Sequence, residues 1–230
     1  MLTYAARAVP WTRVVLAAVL VVVLMELVRW NPWVLWPLEG TAVGLLAGAT
    51  AWCFDETAAV VVDTTPRGPA WRAGARSPAV LLLTLAWGLA VLRAGTGGSF
   101  GHVRAILVQG LVAITAGAAF ACWRRGRGEA VPGLLWAAGV VPAVAAWALV
   151  RPLDEHVAVF PYGTTSSYGW QLSTAGWTVT GTLAGLLLVA ALAEAPWWRL
   201  SRTRQPSQRP GRPGPGAGRP GRTGDADQRR

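Results

Sequence analysis

Six long apolar runs take up most of the first 195 residues of this chain. They cover roughly 14–29, 33–54, 79–94, 102–123, 131–150 and 174–195. Most of the runs approach the ~20 residues that an α-helix needs to cross ~30 Å of hydrocarbon. The sequence therefore predicts an all-α, polytopic integral membrane protein with about six transmembrane helices, whose first partner is the lipid bilayer.

The composition excludes an ordinary soluble domain. Hydrophobic residues make up 53% of the chain and charged residues 14%, whereas about a quarter of the residues in a typical soluble domain are charged. Several tryptophans lie at the ends of apolar runs, where the amphipathic indole ring prefers the lipid headgroup layer. They are Trp11, Trp30, Trp33, Trp123, Trp170, Trp197 and Trp198. We interpret them as interfacial anchors.

The placement of arginine predicts the orientation. All 21 basic residues are arginines, and six helices place seventeen of them on one side of the membrane and four on the other. Because cytosolic segments carry the excess of positive charge, both termini are predicted to be cytosolic. Leu-Val-Arg or Val-Leu-Arg closes the first, third and fifth runs at 27–29, 91–93 and 149–151. This repetition predicts three helical hairpins.

The end of the chain has a different composition. Residues 199–230 are rich in arginine, proline and glycine and contain no large aliphatic residue after Leu200. Such a segment cannot bury a core, so a disordered cytosolic tail is predicted to follow a transmembrane domain that covers 1–198. Its positive charge suits anionic lipid headgroups. Without interleaved aromatic residues, it is not expected to bind nucleic acid.

Glycines four residues apart predict close helix packing. Gly44 and Gly48 lie in the second run, and Gly181 and Gly185 lie in the sixth. Small residues at this spacing let two helix backbones approach closely in a membrane. They suit contacts within the chain or with other subunits, so a homo- or hetero-oligomer is left open. The simple abundance of glycine, with 27 in the chain, is the alternative explanation.

A charge cluster is predicted at the outer turn between the first two helices. Glu26 and Arg29 are three residues apart and can pair on one helix face, and Glu39 can face the same arginine from the next helix. Two interpretations follow. The cluster is a charge pair at the membrane surface, or a carboxylate in it is a proton or substrate site, because ionisable residues within a membrane are often functional.

The absence of lysine excludes several chemistries. Neither a P-loop lysine nor a Schiff-base lysine can exist in this chain. HExxH and zinc-ligand cysteine motifs are also absent from the sequence, and the glycine-rich stretch GTGGSFG at 95–101 lies in a predicted outer turn, so we predict no enzymatic activity, metal or cofactor. Work driven by ATP would therefore need a separate subunit.

The segment CFDETAAVVVDTTPRGPAWRAGAR, at residues 53–76, is strongly polar although it lies between two apolar runs. Its acids come before its arginines, and the predicted topology places it in the cytosol. The charged residues are Asp55, Glu56, Asp63, Arg67, Arg72 and Arg76. This arrangement suits docking of a partner protein, or a loop that lies on the inner membrane surface.

Part of this segment resembles a known family. The residues concerned are Asp55-Glu56-x-Ala58-Ala59, Thr65-Pro66, Arg72 and Arg76. They are similar to the first cytoplasmic loop of small six-helix membrane proteins of high-GC Gram-positive bacteria, many of them permease components of ABC-2 type transporters. The resemblance implies a subunit in the bacterial plasma membrane whose 55–76 segment couples to a separate cytosolic ABC ATPase. A membrane scaffold or assembly protein without transport activity is the alternative.

Overall fold

The computed structural model describes residues 9–56, 68–150, 159–162 and 167–193. Regular secondary structure in these ranges is helical throughout, so the predicted all-α class is confirmed there. The helices are α1 (Trp11–Trp30), α2 (Pro32–Leu35), α3 (Pro37–Trp52), α4 (Pro69–Gly98), α5 (Val103–Gly126), α6 (Pro132–Val150) and α7 (Ser167–Leu192). The predicted boundary at 198 and the tail at 199–230 lie outside the described residues.

Five helices are long and apolar enough to cross a membrane, namely α1, α4, α5, α6 and α7. The prediction of a multi-pass membrane protein is supported to this extent. A sixth span is not confirmed, because α3 has only 16 residues and therefore measures about 24 Å. The second apolar run is divided between α2 and α3, since Pro37 starts a new helix after the break at Trp36.

Large apolar side chains cover the outside of the bundle, and α4 shows this clearly. Leu81, Leu85, Leu89 and Leu92 follow one side of this helix and are 56–68% exposed. The opposite side, with Leu83, Trp87 and Val91, is fully buried. A continuous exposed apolar surface of this kind is unusual for a water-soluble monomer. It is suited to contact with lipid acyl chains.

Helix α3 lies at the centre of the bundle and packs against α1, α5 and α6. All residues from Gly40 to Ala51 are buried except Thr41, which is partly buried. Small side chains allow this position, because glycine, alanine and threonine make up most of its sequence, PLEGTAVGLLAGATAW. Residues at either end of α3 are therefore held by several other helices at once.

The three predicted hairpins are not confirmed. α1 packs against α3, and α4 packs against α5, as two of the hairpins require. However, α6 packs mainly on α3 and α7 mainly on α5, although α6 and α7 follow one another in the chain. Helices that pack together are thus not always neighbours in the sequence, and α1 also packs against α4.

Helix α4 extends beyond the predicted range of 79–94 at both ends. It begins at Pro69, because proline at the first helical position already has the required φ angle. It bends at Gly95, whose φ of 58° and ψ of −156° are accessible almost only to glycine. The bend lets the chain turn toward α5.

Candidate functional site

A buried carboxylate lies at the start of α3. Glu39 is in the first turn of this helix, and its side chain is 0% exposed. Among the described residues, neither of its carboxylate oxygens has a hydrogen-bond partner. The partial positive charge of the helix N-terminus favours an acid in this turn, but it does not replace the hydrogen bonds that water would supply. Glu39 is therefore an unusual polar group in a mostly apolar bundle.

The predicted cluster of Glu26, Arg29 and Glu39 is only partly present. Glu26 pairs with Arg29 at 3.0 Å and also with Arg93, at the surface of the bundle. The prediction that Glu39 faces Arg29 is wrong, because Glu39 makes no ion pair among the described residues. The chain turns through α2 before α3 begins, and this turn places Glu39 on the buried face of a separate helix.

A chain of hydrogen bonds lies beside Glu39. The Tyr162 hydroxyl lies beside the Glu39 carboxyl group and donates to Gln109 Oε1 at 2.6 Å. Gln109 Nε2 lies 3.5 Å from Ser173 Oγ, which donates to the Val159 carbonyl oxygen at 2.9 Å. These groups come from α3, α5, α7 and the short segment 159–162. The fold thus collects polar atoms from distant parts of the sequence at one buried place.

Aromatic rings surround this polar chain. Phe160 stacks on Tyr162 at 5.5 Å, while Trp36 and Trp170 contact Tyr162 at 6.2 Å and 5.9 Å between ring centroids. Trp177 Nε1 donates to the Val159 carbonyl oxygen at 3.0 Å. Trp170 is buried, and so does not fit the predicted role of an exposed interfacial anchor. The rings keep water away from Glu39 and the groups next to it.

A second polar site joins the end of α3 to the start of α4. Glu56 and Arg76 form an ion pair whose side chains are only 6% and 4% exposed. Arg76 Nη1 also donates to the Arg72 carbonyl oxygen at 3.2 Å. Removal of two charges from water is costly unless both are paired and hydrogen-bonded. The pair therefore holds Glu56, which follows α3, against the first part of α4.

The same site is joined to the turn before α6. Asp55 Oδ1 accepts a hydrogen bond of 2.6 Å from the backbone N–H of Gly133, and the Glu56 N–H donates to the Ala130 carbonyl oxygen at 2.9 Å. Arg124 forms an ion pair with Glu129 in this turn. Asp55 thus satisfies a backbone donor in the first turn of α6, as a helix cap does.

The pKa of Asp55 is raised by burial, although the Gly133 N–H and the charges of Arg13, Arg125 and Arg76 oppose the shift. The folded chain then holds a proton on Asp55 more tightly than the unfolded chain does. The contribution of this group to stability is present below its unfolded pKa and is lost as the pH rises through its folded pKa.

Two variants of Asp55 test this assignment. Asp55→Ala removes the cap and is expected to cost about 0.5–2 kcal/mol of the free energy of unfolding. Asp55→Asn keeps an acceptor without the charge, so its stability relative to the natural protein is expected to improve as the pH rises from acid to neutral. Thermal unfolding in detergent across this range is the measurement. A difference that does not vary with pH would contradict the raised pKa.

The predicted partner-binding set is only partly described. Asp63 and Arg67 lie outside the described residues. Of the others, Asp55, Glu56 and Arg76 have the internal partners given above, and Arg72 is partly buried. The structure brings these ends of the segment together at the base of α4. Binding of a partner by this set stays a prediction.

The predicted packing glycines differ in their surroundings. A Cβ on Gly44 or Gly48 would lie 3.0 Å from side chains of α6, and one on Gly181 would lie 2.7 Å from Val112. Gly185 faces open space, since a Cβ there would meet nothing within 4 Å. Gly40 was missed, although it extends the four-residue spacing of Gly44 and Gly48, and a Cβ on it would lie 2.6 Å from that of Ala148.

The polar residues around Glu39 were also missed. Gln109 offered a signal, because it is an amide within the fourth apolar run. Tyr162 and Ser173 offered none, since their partners are 53 and 64 residues away in the sequence. Within the described ranges, no group of three or more His, Cys, Asp or Glu side chains could hold a metal ion.

A function for this chain has to be inferred from the two polar sites described above, one at Glu39 and one at Glu56 and Arg76. No protein-family model, curated protein or solved structure matches the chain.

Proposed function

We propose that this chain is the membrane-spanning, permease-type subunit of an ABC-type transporter in a bacterial plasma membrane, and that it works with a separate cytosolic ATPase. In this proposal α3 also crosses the membrane, which brings the number of spans to six, and both termini are cytosolic. The five long apolar helices support a multi-pass protein. An even number of spans keeps the arginine-rich tail on the side with most of the other arginines, in agreement with the positive-inside rule.

The observation that carries the proposal is the anchoring of the 55–76 segment. Glu56 and Arg76 are paired and buried, so one rigid point joins the residue that follows α3 to the first part of α4. The contacts of Asp55 and Glu56 with Gly133 and Ala130 extend this point to α6. A partner that moves the intervening residues would therefore move α3, α4 and α6 together. Coupling of ATP hydrolysis to a membrane domain requires such a connection.

The division of roles within the segment follows from burial. Glu56 and Arg76 serve as anchors, because each is the buried partner of the other. In this proposal Asp63 and Arg67 contact the ATPase. The chain has no lysine, so it cannot form a P-loop of its own. A scaffold role has less support, because Gly44, Gly48 and Gly181 pack within the chain.

Reversal of the segment's charges tests the proposal. We expect the double variant Asp63→Arg with Arg67→Glu to lose co-purification with an ATP-binding protein, because loss of well-placed charge pairs at an interface costs about 2–5 kcal/mol. The net charge is unchanged, and the buried anchors are untouched. The measurement is affinity purification of the full chain from membranes, with partners identified by mass spectrometry.

Arg104→Glu is the control, because Arg104 is exposed and lies at the start of α5, on the predicted outer side. It should retain the same partners in the same amounts as the natural protein. The proposal is wrong if the charge-reversed segment still binds the same ATPase as strongly as the control does. It is also wrong if no ATP-binding protein co-purifies with the natural chain.

A further inference from the structure

We infer that Glu39 is a proton-binding site inside the bundle, occupied in the folded protein by one exchangeable proton. The carboxyl group is then a neutral acid rather than a carboxylate. This inference goes beyond the proposed function and does not depend on it. Glu39 is in the first turn of α3 while Glu56 follows the end of this helix, and the part of α3 between them, from Glu39 to Trp52, is about 20 Å long.

The first step is the cost of a charge at this position. Glu39 is 0% exposed, and among the described residues no hydrogen bond or ion pair reaches either oxygen. An ionised carboxylate in such surroundings is strongly disfavoured even after the protein relaxes. The group beside it is a phenol, Tyr162. A bound proton removes the cost by removing the charge.

The second step is the direction of the neighbouring hydrogen bonds. The Tyr162 hydroxyl donates its hydrogen to Gln109 Oε1. Its oxygen has lone pairs that can accept a hydrogen bond, and a neutral carboxylic acid beside it has an O–H to donate. A carboxylate has only acceptors and would compete with Gln109 for the same hydrogen. The contact of the Tyr162 hydroxyl with Gln109 Oε1 therefore favours the protonated state of Glu39.

The third step is a path for exchange. An open groove of about 670 Å³ is lined by Trp170 and by polar groups that include His102, Gln171 and Thr174. Trp170 is buried, and its ring contacts that of Tyr162. His102 stacks on Trp170 with 4.2 Å between the ring centroids. One aromatic layer thus lies between the groove and the hydrogen-bond chain, so movement of Trp170 would admit water to the site.

Chemical labelling tests the inference on the unaltered full chain. Dicyclohexylcarbodiimide reacts with protonated carboxylic acids in apolar surroundings, and peptide mass spectrometry locates the adduct. In detergent or lipid nanodiscs at neutral pH, we expect Glu39 to be modified. Glu26 is the internal control, because it is accessible and paired with two arginines, and it should stay unmodified. Absence of an adduct at Glu39 in folded protein would overturn the inference.

Infrared spectroscopy provides a second readout that does not depend on reagent access. The carbonyl stretch of a protonated carboxylic acid should be present in the natural protein and lost in Glu39→Gln, which keeps the shape and neutrality of the site. Tyr162→Phe should shift this band, because the acid loses its acceptor. A spectrum in which Glu39→Gln removes a carboxylate band instead would refute a bound proton. Protection of Glu39 from the carbodiimide by sodium ions would also refute it, since a metal cation would then occupy the site.

Discussion

Alanine at Gly117 is expected to destabilise the folded protein strongly. A Cβ on this residue of α5 would lie 2.2 Å from the backbone oxygen of Ala47 in α3 and 3.1 Å from its carbonyl carbon. Atoms pack favourably at ~3.5–4.0 Å, and the neighbour is backbone in the central helix, so it cannot rotate away. Overpacking of a rigid core typically costs about 1–3 kcal/mol and sometimes more. We expect an effect at or above the top of that range.

Gly185→Ala is the matched control. Gly185 is also within a long helix, but a Cβ there would meet nothing within 4 Å. The substitution should be neutral or stabilise the protein by up to about 1 kcal/mol, since alanine favours helix more than glycine does. The measurement is the yield of monodisperse protein on size exclusion in detergent, followed by thermal unfolding. If Gly117→Ala behaves like Gly185→Ala, the packing of α5 on α3 is not as described.

Loss of Arg76 is expected to have the second large effect. Arg76→Ala takes the ion-pair partner Arg76 away from the buried Glu56 carboxylate, and removal of one member of a buried pair typically costs about 3–5 kcal/mol. Replacement of both residues, as Glu56→Gln with Arg76→Met, removes the stranded charge and should recover most of the stability. A rescue of this kind separates the pairing of the charges from the shape of either side chain.

Arg93→Ala is the control for a pair of the same type at the surface. Arg93 and its partner Glu26 are 55% and 33% exposed, so the loss of this pair should cost no more than about 1 kcal/mol. Thermal unfolding of all four proteins in one detergent gives the comparison. Equal effects of Arg76→Ala and Arg93→Ala would mean that Glu56 reaches water and that the anchoring of the 55–76 segment is weaker than proposed.

The positions of helices were predictable where the length and hydrophobicity of an apolar run were enough to determine them. The third to fifth apolar runs correspond to α4, α5 and α6, because length and hydrophobicity are read from neighbouring residues. The predicted helix boundaries were wrong where a proline or a polar first turn lies next to an apolar run. Pro69 and Ser167 begin helices earlier than the apolar runs do, and Pro37 divides the second run. In each case the backbone preference of a proline or a polar first turn modified the boundary.

The roles of charged residues were less predictable. Glu26 and Arg29 pair as their spacing in one helix suggests. Glu39 does not join them, because the direction of its side chain depends on the turn through α2 and on how α3 packs. Glu56 and Arg76 are 20 residues apart, and nothing in their spacing predicts that they meet.

The sequence by itself determined the class of this protein and the positions of most of its helices. An apolar run long enough to cross a bilayer is costly to expose to water wherever it lies in the sequence. Its removal from water therefore does not depend on which other helices it contacts. Only the tertiary structure decided which polar groups are enclosed. Glu39 became a buried acid beside Tyr162, and Glu56 became the buried partner of Arg76, because burial and pairing depend on which helices come together. That arrangement depends on small residues of α3 and α5, such as Gly48 and Gly117, whose contacts are set by the shape of the facing helix.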